Sequence, residues 1–415
     1  MTDLQKKLVF WATMIGAQVG AFIVFKDLAD ISQWVVQSPR EFTMAVWYNR
    51  YLIVGISVIL LALAGILWWR NRALCGRMIF ASLIVFFVVN MYSGMVNVTW
   101  MFRPQQDQGN FVGIDEAVKQ MEKSVGHARF GDERYGDVDE IEVLVIEADN
   151  GVFAYSDYYL LQPHVVNAGK VDGEDVVMTY CGLTNLGVAY SPVIGDQKLN
   201  LRAITQLKNN LVLVDENTDE PIQQLWGHME GAPERGRMKE IATYRMPFGS
   251  FRKLYPDGKV FVNEIADFSE NPVLAVWDRV VRNGMMLWGV GLQWNNPDKA
   301  AFPSIRDYDK RLPMKELVYT VSVSDDHVAY TKEFIGAEDG IINVTIGQQP
   351  IVILYDETHD VVAAFFRRNA EPVREVDVFG KTDTGTQLAR VNTLKSKIFW
   401  FIFAEFYPGV DVNRV

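Results

Sequence analysis

Glu142-Val-Leu-Val-Ile-Glu-Ala-Asp-Asn-Gly-Val-Phe-Ala-Tyr155 can be laid over Leu317-Val-Tyr-Thr-Val-Ser-Val-Ser-Asp-Asp-His-Val-Ala-Tyr330 without a gap. At the same offset Val176-Val-Met-Thr-Tyr-Cys181 meets Ile351-Val-Ile-Leu-Tyr-Asp356, and Val188-Ala-Tyr190 meets Ala363-Ala-Phe365. A later pair agrees in kind: Phe248-Gly-Ser-Phe-Arg-Lys-Leu-Tyr-Pro-Asp-Gly-Lys-Val260 resembles Trp400-Phe-Ile-Phe-Ala-Glu-Phe-Tyr-Pro-Gly-Val-Asp-Val412. Each reads as an aromatic helical segment ending at Tyr-Pro, then a turn and a last strand. The offset of this pair is shorter, so the first copy carries extra residues between its ends. Short runs of Val, Ile, Tyr and Phe broken by Asp-Asn-Gly, Asp-Gly and Pro-Asp-Gly turns are the pattern of strands. Self-similarity at a fixed offset therefore predicts an α+β, β-rich fold duplicated into two units of one ancestry, 140–263 and 314–415. The apolar run 398–406 is too short to cross a bilayer and is expected as the buried helix of the second unit.

Working outward, residues 101–139 are rich in Gln, Gly, Asp, Glu and Arg and read as a tether, with an amphipathic helix near 115–125. The segment 264–313 links the two copies and includes 272–292, with Trp277, Met285, Met286 and Trp288. Asp278, Arg279, Arg282 and Asn283 interrupt its apolar run, which favours an interdomain brace over a face lying on a membrane.

The first hundred residues differ in kind. Apolar stretches at 8–25, 52–69 and 78–96 each approach the length that crosses a hydrocarbon core of about 30 Å. A cleaved signal peptide has one short apolar core, so successive spans predict a permanent three-helix anchor over 1–100 in the lipid bilayer. Lys6 and Lys7 before the first span, and Arg70, Arg72 and Arg77 between the second and third, place those segments in the cytoplasm. The loop 26–50 and everything after about residue 97 then face the periplasm or the exterior of a bacterial inner membrane. Trp47, Tyr48, Tyr51, Trp68, Trp69 and Trp100 sit at the edges, where amphipathic rings are favoured. Gln18 and Asn90 are the main polar interruptions, and without charged groups the spans offer no ion or proton path. Ala12, Gly16 and Gly20 permit close helix contact.

Composition prunes the functional classes. A net charge of −11 argues against nucleic acid as a partner, because phosphate binding needs a basic face. All five histidines lie beyond residue 100, which excludes a haem clamped between the spans. No Gly-x-Gly-x-x-Gly, Walker loop, Gly-x-Ser-x-Gly, His-Glu-x-x-His or Cys-x-x-Cys-His occurs, so neither a nucleotide nor an attached haem is expected. The two cysteines, Cys75 and Cys181, fall on opposite sides of the bilayer and cannot pair.

The outer region resembles the bacterial family catalogued as domain of unknown function 3179. The likeness rests on His164-Val-Val-Asn167, Val177-Met-Thr-Tyr-Cys-Gly-Leu-Thr184, Leu225-Trp-Gly, Tyr255-Pro-Asp-Gly, Phe302-Pro-Ser-Ile and Asp309-Lys-Arg-Leu-Pro-Met-Lys-Glu-Leu-Val318. It covers about 140–415 and leaves out the anchor. The resemblance implies no established activity. The family's usual opening motif is Thr-Tyr-Cys-Pro-Leu-Cys, and two thiols beside a histidine suit a soft metal or a redox pair. Here Cys181 keeps the first position, Gly182 replaces the proline and Thr184 replaces the second cysteine.

Two readings follow. In one, the chain is an externally facing binding or accessory module that meets another envelope protein, and Cys181 is a small core residue. In the other, it is a thiol- or metal-dependent enzyme or metal carrier, with Cys181 and His164 as catalytic residues. A single zinc, copper or iron would then be drawn from Cys181, His164, His228 and the second copy's Asp356 and His359.

Overall fold

The computed structural model describes residues 2–99, 109–125, 136–161, 163–263 and 287–415. It divides into two units.

The first unit comprises Met1–Pro104 with Ile204–Lys208 and Phe302–Ser304. Its helices are α1 (Asp3–Leu28), the short α2 (Asp30–Gln33), α3 (Arg40–Arg70) and α4 (Arg77–Thr99). Helix α1 starts at a capping box in which Thr2 and Gln5 bond each other's backbone. Among the described residues α1, α3 and α4 are the helices long and apolar enough to cross a membrane, with mean hydropathy 2.0, 2.5 and 2.0. Their outward faces stay apolar: Leu52, Ile59, Ile66, Val85 and Val88 are exposed. Contact between helices is made at small residues. A Cβ on Gly20 would fall 1.9 Å from the Ser57 hydroxyl, and one on Gly94 would fall 2.5 Å from the Val24 carbonyl. Each polar interruption donates to a backbone carbonyl: Gln18 to Leu83 of α4 at 2.9 Å and Asn90 to Phe86 of its own helix at 2.7 Å. The region expected as a loop, 26–50, already holds α2 and the first turns of α3.

The second unit opens with β1 (Asn110–Gly113) and α5 (Ile114–Val125). Then come β2 (Glu142–Ala148), β3 (Gly151–Ser156), α6 (Asp157–Leu160), β4 (Val165–Val171), β5 (Glu174–Cys181) and β6 (Leu186–Tyr190). An excursion follows through β7 (Val193–Ile194), β8 (Gln197–Lys198), β9 (Leu201–Leu207, counted with the first unit from Ile204 on), β10 (Asn210–Asp215), β11 (Glu220–Gln223) and β12 (Glu240–Ile241). The first half closes with β13 (Tyr244–Pro247), α7 (Phe248–Leu254) and β14 (Lys259–Val262). Helix α8 (Leu287–Trp294) precedes the second half: β15 (Leu317–Val323), β16 (Asp326–Thr331), α9 (Lys332–Ala337), β17 (Ile341–Ile346), β18 (Gln349–Asp356) and β19 (Val361–Phe366). It ends with β20 (Ala389–Arg390), β21 (Lys395–Phe399), α10 (Trp400–Phe406) and β22 (Asp411–Asn413).

The pairing explains where the charged residues go. One sheet runs β1-β14-β3-β2-β13, and β22-β16-β15-β21 has the corresponding order in the second half. In both, the last strand lies parallel to the second, with Val260 opposite Ala154 and Val412 opposite Ala329. The sheets β12-β6-β5-β4 and β17-β18-β19-β20 correspond likewise. Alternation along β2, β5, β15 and β18 turns Val143, Val145, Val176, Met178, Val321 and Ile353 into apolar cores. One of those cores joins both halves, with Val352, Val361 and Phe365 packed among Val143, Met178 and Phe248.

Two expectations change. Residues 110–125 are no tether: β1 is the edge strand of the first sheet, and α5 buries Ala117 and Met121 on the core. The run 398–406 is helical only from Trp400, because Ile398 and Phe399 complete β21; the buried helix then hides Trp400, Phe401, Ile402 and Phe403. Of the linking segment, 264–286 lies outside the described residues, with Trp277, Met285 and Met286. The part described as α8 reaches the core through Val290.

Candidate functional site

The residues singled out from sequence occupy separate settings. Cys181 ends β5 and is 3% exposed; its sulfur lies 3.9 Å from the Asn209 carbonyl, and burial pushes the thiol up. That setting favours the thiol over the reactive thiolate. Thr184, at the second-cysteine position, donates to the Cys181 carbonyl at 3.1 Å, a turn bond rather than a ligand posture. His164 is buried in the turn before β4 with φ 68°, and its Nδ1 lies 3.0 Å from the Tyr180 carbonyl. Burial takes its pKa down to about 4, so the ring is neutral and Nδ1 carries the proton that the carbonyl accepts. His228 stacks on Trp226 at 5.2 Å with its Nδ1 on the Met229 carbonyl. Asp356 and His359 pair with each other at 2.7 Å across the β18–β19 turn. Among the described residues no three His, Cys, Asp or Glu side chains are gathered as a metal site requires.

Position by position, the hairpins that carry Cys181 and Asp356 do gather chemistry, one residue beyond the motif. Both end on a residue in the left-handed region, Asn185 (φ 55°) and Asp360 (φ 49°), where Asn and Asp are tolerated. The Asn185 side-chain oxygen accepts from Arg245 at 2.8 Å and from the Tyr180 hydroxyl at 3.2 Å. The Asp360 carboxylate accepts from Lys397 at 3.0 Å, Lys332 at 3.2 Å and the Tyr355 hydroxyl at 3.3 Å. The helices α6 and α9 each begin behind a hydroxyl cap, Ser156 and Thr331, and each presents a charged first residue, Asp157 and Lys332. Arg245 reaches Asp157 at 2.9 Å. The strands β13 and β21 supply the equivalent cations, Arg245 and Lys397.

Glu142 joins the two clusters, accepting from Arg245 at 3.2 Å and from Lys397 at 2.7 Å, and Asn185 donates to the Lys397 carbonyl at 2.7 Å. Burial opposes the charge on Arg245, but Asp157, Glu142 and Tyr180 hold its proton more tightly than in water. Burial also works against the Asp360 carboxylate, yet Lys397 and Lys332 bring its pKa below the usual range.

Glu142, Asp157, Asn185, Arg245, Lys332 and Lys397 line a cavity of about 500 Å³ between the halves, walled further by Trp294, Leu317 and Tyr319. Three other acids, Glu140, Glu316 and Glu333, line it without an ion-pair partner among the described residues. So does Lys315. Its ammonium donates to the Gln293 carbonyl at 2.7 Å and lies 5.2 and 5.0 Å from the rings of Phe399 and Phe401. With no carboxylate beside it, burial draws its pKa down to about 7. Glu316 moves the other way, raised by burial and by Glu333. The cavity thus couples a neutralised charge network to one uncompensated amine and a pair of mutually repelling acids.

None of Arg245, Asp157, Asn185, Lys397, Lys332, Asp360 or Lys315 was marked from sequence. The signal was present: Asp157 with Lys332 and Asn185 with Asp360 stand at the repeat offset, and Arg245 and Lys397 are charges inside strands otherwise apolar.

The family described as "Protein of unknown function (DUF3179)" matches residues 124–410, and the chain belongs to it. No curated protein and no solved structure matches.

Proposed function

We propose that this member of the DUF3179 family is a membrane-anchored, externally facing binding module of the bacterial cell envelope, which takes a small zwitterionic ligand into the cavity between its two halves. Lys315 carries the reading: it is the cavity's one cation without a carboxylate among the described residues, while Arg245, Lys332 and Lys397 are all neutralised. A ligand carboxylate would supply the missing partner, and a ligand ammonium would relieve Glu316 and Glu333. The anchor is α1, α3 and α4 in the inner membrane. The basic residues Lys6, Lys7, Arg70, Arg72 and Arg77 favour a cytoplasmic N-terminus and an exterior second unit. The matching sheet orders and registers support descent of the two halves from one duplicated unit. Another envelope protein is the natural source or recipient of the ligand.

Calorimetry on the full chain in neutral detergent tests this with an ω-amino acid, a diamine and a dicarboxylate of equal length. Binding of the amino acid alone, weakened about tenfold or more in Lys315→Met, is the expected result. Because the ligand carboxylate raises the Lys315 pKa, binding takes up a proton, and affinity falls as pH rises above about 7. No binding by any of the three, or equal binding by the variant, sinks the reading. Metal analysis of the same preparation beside Cys181→Ala decides the competing one: stoichiometric zinc, copper or iron lost in the variant would establish a carrier or metalloenzyme at Cys181 and His164.

A further inference from the structure

A second cavity, of about 410 Å³, lies in the loop between β19 and β20, away from Lys315 and independent of the proposal above. Three arginines line it, Arg367, Arg368 and Arg374, together with the hydroxyls of Thr382, Thr384 and Thr386.

Arg367 is the informative one. It is only 8% exposed, and its terminal nitrogens are spent on the carbonyls of Ala370, Glu371 and Val344 at 2.9, 2.8 and 3.2 Å. Its Nε is buried with no hydrogen-bond partner, and among the described residues no carboxylate pairs with it. Burial alone acts on the guanidinium, lowering its pKa. A buried cation in this state is costly unless a counter-charge arrives. Neither Arg368 nor Arg374 is ion-paired among the described residues, although Glu371 and Asp383 also border the cavity.

The frame around them is fixed. Asn343 clamps Val373 through both its amide groups at 2.9 and 2.8 Å. The threonine hydroxyls bond in series, Thr382 to Thr384 at 2.9 Å and Thr384 to Thr386 at 3.3 Å.

We infer that this loop is a binding site for a phosphate monoester group. The guanidinium forks of Arg368 and Arg374 and the threonine hydroxyls, set around one space beside the buried charge of Arg367, suit the several acceptor oxygens of a tetrahedral dianion better than a planar carboxylate. The phosphoryl group could be free in solution or the headgroup of a lipid.

The test uses the full chain in phosphatidylcholine nanodiscs, titrated with inorganic phosphate by calorimetry. Saturable binding is expected, weakened about tenfold for each guanidinium removed in Arg368→Gln and Arg374→Gln, whose side chains are exposed and carry no fold contacts among those described. Arg367→Gln serves only if its melting temperature matches the parent. Nanodiscs containing phosphatidic acid separate the two sources. Suppressed phosphate binding identifies a lipid headgroup, unchanged binding identifies a soluble phosphate, and either upholds the site. Absence of phosphate binding in phosphatidylcholine discs, or binding undiminished in the double variant, overturns it.

Discussion

The two halves of the second unit have matching sheet orders and two charge designs. In the first, Arg245 faces Asp157 and the neutral Asn185; in the second, Lys397 faces Asp360, and Lys332 occupies the place of Asp157. The first cluster is neutral on its own. The second carries an excess positive charge, which Glu142 balances by reaching across from β2. The turns before β4 and β17 differ in the same spirit: His164 and Asp339 share a left-handed φ, 68° and 54°, but His164 is buried and Asp339 is exposed. Equivalent backbones therefore do not imply equivalent chemistry, and the asymmetry is concentrated where the halves meet.

The largest effect is expected from removing the cations Arg245 and Lys397, one from each half. Arg245→Met takes the guanidinium away from the buried Asp157 carboxylate, while Glu142 keeps Lys397, and should cost about 3–5 kcal/mol. Lys397→Met should cost less, because its side chain is 10% exposed against 1% for Arg245, and Lys332 remains on Asp360. Thermal melting of both variants in detergent measures the difference; equal losses would mean that the halves share one indivisible network.

Next in size is the histidine turn. His164 is neutral in the fold down to about pH 4, whereas an unfolded histidine protonates near 6.5, so the unfolded state binds more protons between those values. Its contribution is fully present above about 6.5 and is lost as pH falls toward 4, roughly 3 kcal/mol in all. Melting temperature against pH should show this loss in the parent and a flatter profile in His164→Gln. A profile unchanged by the substitution would place the acid sensitivity elsewhere.

The smallest expected effect comes from exchanging the hairpin ends. Asp360→Asn removes the carboxylate from two lysines and should cost about 1–2 kcal/mol. Asn185→Asp strengthens the bond from Arg245 but replaces the amide that donates to the Lys397 carbonyl with a buried oxygen, so a net loss of about 1–2 kcal/mol is expected. The double exchange, melted beside both singles, reports whether the clusters are coupled through Glu142. Additive losses would show that they are not.

Much of this architecture is legible along the chain. Apolar runs of bilayer length, period-two strands, turn residues and the 142–155 and 317–330 match are local patterns, and local patterns specify elements and their pairing partners. Cysteine and histidine are rare enough to mark Cys181 and His164 in a sequence, whereas Asn185, four residues after Cys181, carries no such mark. The sequence alone determined the apolar N-terminal helices, the β-rich remainder and the family to which it belongs. Only tertiary structure decided the cavity, since its charges come from positions as distant as Glu142 and Lys397, 255 residues apart. Which of them neutralise one another, and which, like Lys315, are left uncompensated, depends on how two sheets pack, a geometry that no spacing within a strand encodes.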